Sequence, residues 1–436
     1  MKRILWAILA LVTSANAAYS QTCWTIGTDG SIELNPERIV LPYSDHIEMS
    51  GEQVSCVLRW MVDEKGLFGQ ERSLVFPMLR RVPNDTHASL LYRMGTDVMS
   101  LVGINSLVPK QLSTKKVSID GGLSVISEYG VGKANVGGAR GDNPKPVAEV
   151  RTTVFPSKVH PMLCEIYSIR NISASPLVLN VPKFSQEAKT LADKGVDGSY
   201  VIRADIFGSG TYVLAPRNEI RFHAAFQAYR ADTERMIVPD IDAEYSARMS
   251  FIRDAIDSSL ILETPDTVIN TEFRFAKIRA SESIYRTKGG LMHGPGGESY
   301  YAALWCNDEC EYVNPFYPFL GYAVGNESAF NCYRLYSGFM NDDFKPVPSS
   351  IIAEGTDIWD GAGDRGDAAM IAHGLSRYLL ARGDKNEAEQ LWPFLKWCLE
   401  YCHRKLNAAG VPESDSDELE GRFPAGDANL STACLY

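Results

Sequence analysis

Three short stretches of this chain set several carboxylates beside an aromatic ring. They are Leu304–Tyr312 (LWCNDECEY), Gly355–Met370 (GTDIWDGAGDRGDAAM) and Pro412–Phe423 (PESDSDELEGRF). That mixture suits a carbohydrate. An aromatic face stacks on the apolar side of a sugar ring, and Asp, Glu and Arg hydrogen-bond its hydroxyls. A protonated carboxylic acid can donate to the glycosidic oxygen while a second carboxylate attacks or activates water. The candidates are Trp305 and Asp308 in the first stretch, Trp359, Asp360, Asp364, Arg365 and Asp367 in the second, and Glu413, Asp415 and Asp417 in the third. Each stretch lies next to a predicted helix start, so capping of orphan N–H groups competes with a site role, above all for Asp364 and Asp367. The same chemistry recurring at successive helix starts carries the site reading. It predicts that Asp308, Asp364 and Asp417 converge on one concave surface with Trp305 and Trp359.

Other motifs carry less. The tripeptide Arg365–Asp367 spells RGD but opens a predicted helix, which argues against adhesion. DSDELEG fails as a calcium loop because Leu419 falls where an oxygen ligand belongs. Cys306/Cys310 and Cys398/Cys402 are each four apart, which places both members on one helix face. No His lies at ligand spacing beside the first pair, so these read as buried free thiols, and neither metal nor cofactor is expected.

The elements that must position these residues differ between the two halves. From about Ile32 to Tyr229, short runs rich in Val, Ile, Tyr and Thr alternate and are punctuated by turn residues, as in VSCVLRWMV, AEVRTTVFP and LCEIYSIRN. Their regular spacing predicts an antiparallel β-sandwich. At about Ile241 the period changes to helical, and everything beyond reads as helix. A helix start is clear in TPDTVINTEF, where Pro265-Asp266 marks a cap. Ile371, Leu375, Tyr378 and Leu379 form one apolar face, and Leu391, Leu395, Cys398 and Cys402 another. The chain thus divides into residues 22–240 as sandwich, 241–263 as linker helix and 264–436 as a helical domain suggestive of an α/α toroid.

Before these, Lys2 and Arg3 precede the apolar run Ile4–Val12, and Ala15-Asn16-Ala17 fits a signal-peptidase site. Residues 1–17 therefore read as a cleaved signal peptide, and the mature protein as secreted or periplasmic. No later stretch is apolar enough for stable membrane insertion. Among 436 residues the formal net charge is -11, which argues against nucleic acid or anionic lipid as partner.

From about Thr264 onward the chain resembles the (α/α)6-barrel, or six-hairpin, glycoside hydrolases, nearest glycoside hydrolase family 63, trehalase and the debranching-type glucosidases. In that clan an N-terminal β-sandwich often precedes the barrel. Its members often carry a Glu-Ser-Gly-x-Asp segment whose Asp is the general acid of an inverting mechanism. Glu413, Ser414, Asp415, Ser416 and Asp417 stand there: Asp417 falls on the acid, and Asp415 where Gly is usual, so both are catalytic candidates. By the same resemblance, LWCNDECEY matches the clan's aromatic-Asp segment lining a sugar subsite, with Trp305 and Asp308, and WDGAGDRGD a second substrate-binding segment. The resemblance implies an inverting glycoside hydrolase that takes a carbohydrate substrate and needs no cofactor. It also implies a partial toroid. The helical patterns after Thr264 supply roughly half of a closed ring, and the general base would then lie beyond Tyr436. Two other classes compete. A polysaccharide lyase also joins a toroid to a sandwich, but relies on Tyr, His or Asn and usually places the toroid first. A non-catalytic carbohydrate-binding protein would need the aromatic–carboxylate surface alone.

Overall fold

The computed structural model of the chain describes residues 23–132, 144–298, 303–356, 358–359, 361, 363–419, 422 and 426–436. The signal segment 1–17 and Asp360 lie outside them.

Alternating strands build the first half. In chain order they are β1 (Trp24–Ile26), β2 (Ile32–Leu34), β3 (Tyr43–Ser50), β4 (Ser55–Val62), β5 (Phe68–Arg80), β6 (Ser89–Met94), β7 (Gly103–Ile104) and β8 (Lys110–Asp120). They continue with β9 (Gly122–Gly130), β10 (Pro146–Pro156), β11 (Met162–Asn171), β12 (Leu177–Val181), β13 (Ser185–Lys189), β14 (Tyr200–Phe207), β15 (Gly210–Leu214) and β16 (Glu219–Arg230). A nine-stranded sheet runs β1-β2-β8-β9-β10-β11-β16-β14-β13, and β3 to β6 form a four-stranded sheet in sequence order. A three-stranded sheet, β15-β12-β7, completes this region. Pairing is antiparallel throughout the central ladders of both larger sheets.

The period-two pattern decides what faces what. Leu58, Trp60, Leu74 and Phe76 of the smaller sheet share one buried cluster with Val125, Val150, Tyr167, Ile169 and Phe226 of the larger. Along β11 the intervening residues Met162, Cys164 and Ile166 point the other way, into a second cluster with Phe155 and Ala225 that Ile241 packs against. One inward position breaks the apolar rule. Glu165 on β11 is fully buried between the sheets and accepts from Arg72 on β5, Nε to Oε1 at 2.5 Å and Nη2 to Oε2 at 2.8 Å.

The second half begins with α1 (Ile241–Phe251), capped by the Asp240 side chain, which accepts from Ala243 N, and it runs on into a π-helical turn at Ile252–Asp257. Asp266 caps α2 (Thr267–Glu282) by accepting from Val268 N at 2.8 Å, where the sequence placed a cap. Then come β17 (Ile284–Thr287), β18 (Gly290–His293) and β19 (Ala303–Trp305), a π-helical turn at Asp308–Val313, α3 (Asn314–Leu320) and α4 (Ala323–Ser337). The remainder is β20 (Ser350–Ile352), β21 (Ile358–Trp359), α5 (Asp367–Arg382), α6 (Lys385–Arg404) and α7 (Leu430–Leu435). The described residues thus combine a large antiparallel N-terminal region with seven α-helices. Five short strands correct the expectation that everything past Ile241 is helical. Runs of two to four residues are too short for periodicity to separate strand from helix. The longer helices follow their period: Ile371, Leu375 and Tyr378 are buried on α5, and Leu391, Leu395, Cys398 and Cys402 on α6. Cys306, Cys310, Cys398 and Cys402 are all buried free thiols. Among the described residues no helix is long and apolar enough to cross a membrane.

Buried cations join the two halves. Arg248 of α1 is 0 % exposed and donates to the carbonyls of Gly121, at 2.6 Å, and Ser50, at 3.1 Å, and to the carboxylate of Glu282 on α2. Arg80 at the end of β5 is paired with Glu354, Nε to Oε1 at 2.9 Å. The hydroxyls of Tyr285 on β17 and Ser50 on β3 lie 3.0 Å apart.

Candidate active site

A small sheet lays the floor. β20 pairs with β19 on one side and β21 on the other, so the backbones of Trp305, Ser350 and Trp359 form one transverse row. The Trp305 side chain is half-buried. Beyond β19, Cys306 N donates to Ser349 O at 3.0 Å, and the chain passes into the π-helical turn. That turn buries Glu309 and Cys310 and leaves Asp308 and Glu311 half-buried.

α5 starts over this floor. Gly366 precedes it with φ of +84°, and a Cβ there would lie 2.2 Å from Thr432 Oγ1 on α7, so no other residue fits. Farther along, Gly374 faces the π-helical turn, and its Cβ would meet Cys310 O at 2.0 Å. Gly374→Ala is therefore expected to push α5 off that turn and cost about 1–3 kcal/mol, the range for overpacking, read from a lower urea midpoint.

The Arg365 guanidinium donates to Asp367 Oδ1 at 2.8 Å, and each residue is 1 % exposed. Asp364 is buried too. Its Oδ1 accepts from Gly366 N at 2.9 Å, its Oδ2 accepts from Tyr401 OH of α6, and Lys405 Nζ lies 3.8 Å away. Hydrogen bonds within the loop and to Tyr401 thus account for the Asp364 carboxylate, which holds the loop before α5 in shape.

The third stretch is knitted onto the second. Asp364 N donates to Asp415 Oδ2 at 2.9 Å, and the amides of Asp415 and Ser416 donate back to Asp364 O at 2.8 and 3.1 Å. No helix begins at these acids; they form a loop, and α7 starts only at Leu430, capped by Asn429. Within the loop Asp417 is half-buried and accepts from Leu419 N at 2.9 Å, while Glu413 and Asp415 are exposed.

Charge concentrates where the three stretches meet. Burial pushes the Glu311 carboxyl up to about 7, and the nearby charges of Glu418, Asp367 and Asp308 add to the rise while Arg365 opposes it. Burial also raises Asp367, against the pull of Arg365, and raises Glu309, against His293, whose Nδ1 lies 3.1 Å from Glu309 Oε1. Glu311 Oε1, Asp367 Oδ2 and Ser350 Oγ are buried without a hydrogen-bond partner, a demand that ligand hydroxyls can meet. Glu311 can therefore hold a proton near neutral pH. Among the described residues no group of His, Cys, Asp and Glu is arranged to hold a metal ion.

Of the sequence candidates, Asp308, Asp364, Arg365, Asp367 and Asp415 come together in contact or through mutual charge, and the backbones of Trp305 and Trp359 share the floor. Asp417 lies on the same loop as Asp415 and Glu418. Sequence reasoning missed Glu311 and Tyr401. Glu311 stands inside a stretch already singled out, three residues after Asp308. Tyr401 carries no local signal, because its partner Asp364 belongs to another element.

No protein-family model matches this sequence, and no curated protein does either. Among solved structures the chain is similar to a protein named as a kojibiose phosphorylase from the human microbiome, with 9% identity and a TM-score of 0.46 over 89% of this chain and 61% of that one. It is also similar to a bacterial glucoamylase complexed with acarbose, with 9% identity and a TM-score of 0.35 over 88% of this chain and 72% of that one. Likeness this loose transfers no chemistry, and the chain spans 61% of the first neighbour's length.

Proposed function

We propose that this chain belongs to an exported, inverting glycoside hydrolase acting on the O-glycosidic bonds of an oligo- or polysaccharide. The observation that supports this reading is the cluster itself. Two carboxylate-rich stretches, far apart in sequence, are hydrogen-bonded to each other, and their charges act on Glu311 of the third, whose carboxyl is pushed up to about 7. In the proposal Trp305 offers a stacking face, and Asp308 and Asp415 bind hydroxyls. Asp364, Arg365 and Asp367 shape the loop from beneath. The motif resemblance gives the proton-donor role to Asp417, with Asp415 beside it. A second assignment within the same reading gives it to Glu311, because a general acid must keep its proton near the working pH.

Binding tests the reading before chemistry does. Neutral oligosaccharides are titrated against the protein by calorimetry, and Trp305→Ala is expected to weaken binding about tenfold, roughly 1.4 kcal/mol. Absence of binding across a broad panel of neutral glycans removes the proposal. Binding without any bond cleavage by the full-length protein moves it to a carbohydrate-binding role.

A further inference from the structure

The space between the two larger sheets is not all apolar. Near the end of β6 a cavity of about 200 Å³ opens among Phe68, Gln70, Arg72, Gln111, Ser127 and Tyr129. A second hollow of about 420 Å³ shares Gly95, Thr96 and Asp97 with it and gives it a second side toward β13 and β14. Sandwich interiors are filled by apolar side chains, so inward-facing polar residues call for a reason.

The buried ion pair explains only part of the polarity. Glu165 is saturated, since Arg72 makes two bonds to it, Gln70 Nε2 donates at 3.0 Å and Tyr167 OH at 2.6 Å. Arg72 Nη1 donates to the carbonyls of Thr96, at 3.0 Å, and Met94, at 3.5 Å, and the guanidinium stacks over Phe226. That accounting leaves Gln70 Oε1, a buried acceptor with no partner. It also leaves Thr152 on β10, which lines the cavity, whereas the Gln111 amide is taken up by Thr114 Oγ1, Ser127 Oγ and the backbone of Phe68. A buried acceptor asks for a donor.

Charge and shape narrow the ligand. Arg72 is neutralised by Glu165, and the other charged residue of the lining is Asp97, so no unbalanced cation awaits an anion. Burial pushes the Tyr129 phenol up, which keeps that ring neutral. The Gln70 amide oxygen, the Thr152 hydroxyl and the rings of Phe68, Tyr129 and Tyr167 remain, around about 200 Å³ that opens into the adjoining hollow and has room for no more than one small ring. We propose that the sandwich carries its own binding site for a single neutral sugar ring, in the cavity bounded by Gln70, Gln111, Ser127 and Tyr129. The ligand class is read from this lining alone, so the site stands or falls apart from the carboxylate cluster.

Methyl-labelled Met and Val residues in the full chain test it, because Met99, Val125 and Val150 line the cavity. D-glucose, D-galactose and D-mannose are titrated one at a time, with sulfate as an anionic control. At least one sugar should give saturable shifts at these methyls, and sulfate none. Gln70→Leu should weaken that binding roughly tenfold, the effect of one lost hydrogen bond, and Trp305→Ala should leave it unchanged. Thr152→Leu, which fills the cavity and removes no hydrogen bond seen in the structure, should abolish the shifts and serves if Gln70→Leu does not fold. No shift with any of the three sugars overturns the proposal. So does equal affinity in Gln70→Leu or in a folded Thr152→Leu protein, or loss of the shifts in Trp305→Ala.

Discussion

Glu311→Gln is expected to lower turnover of unactivated glycosides by the full-length protein about 10²- to 10⁴-fold, the usual contribution of a positioned general acid. The same change should make the fold more stable at neutral pH. Both effects have one cause. Burial, with the charge of Glu418 next, raises the Glu311 carboxyl from an ordinary 4.5 to about 7. Between those values the folded protein keeps a proton that the unfolded chain has released. Stability therefore falls as pH rises through that window, and above about 7 the whole cost of an ionised, half-buried Glu311 is present. Gln never ionises. Thermal melts should show the variant gaining over the parent at about pH 8 and gaining nothing at about pH 4. Substrates with good leaving groups, which need less protonation, should lose less activity. Retained turnover together with an unchanged neutral-pH melt would sink the Glu311 assignment. If Asp417→Asn carries the larger loss instead, the donor is the residue to which the motif resemblance points.

Glu282→Ala is expected to cost about 3–5 kcal/mol, because it leaves a buried cation without its counter-charge. Arg248 is wholly buried, and Glu282 also pairs with Arg279, so the carboxylate answers two guanidiniums at the junction of the halves. Replacing the pair with Arg248→Met and Glu282→Leu should recover only part of the loss. The carbonyls of Ser50 and Gly121 would still lack the donors Arg248 supplies. Urea unfolding followed separately by helical circular dichroism and by the fluorescence of Trp24 and Trp60, with Trp305, Trp359, Trp392 and Trp397 replaced by Phe, should show both signals shifting together. A shift confined to the helical signal would mean that the halves unfold apart. The same bonds bear on residues 22–240 expressed alone. They would lose Arg248 from two buried carbonyls and Glu354 from Arg80, and should be less stable than within the whole chain.

What could be read from the sequence follows the range of the interactions. The strand-rich first half and the faces of α5 and α6 are written in local periods of two and 3.6 residues. The cap Asp266 is equally local. The order of strands in the sheets is not local, since β8 lies beside β2 and β16 beside β11 and β14. Nor is the Arg72–Glu165 pair, in which each partner sits within an otherwise ordinary strand. In the candidate site, composition pointed to three stretches that the fold brings near one another, but not to every residue that meets there. Asp364 looked like a sugar ligand or a cap, and only the placement of Tyr401 and Gly366 shows its carboxylate taken up internally. Glu311 looked like one acid among several. Its raised proton affinity arises from burial and from Glu418, which approaches only once the chain has folded.

The π-helical turn at Asp308–Val313 has a consequence for tinkering with this protein. Such a turn holds one residue more than an α-helical turn would. It therefore works as a phase-shifter: everything before it is rotated about 100° relative to where a regular helix continuing into α3 would put it. Deleting Tyr312 would leave composition and charge almost untouched, yet turn Asp308 and Glu311 toward different neighbours. A point mutation changes what a side chain is. A one-residue deletion here changes where the carboxylates aim.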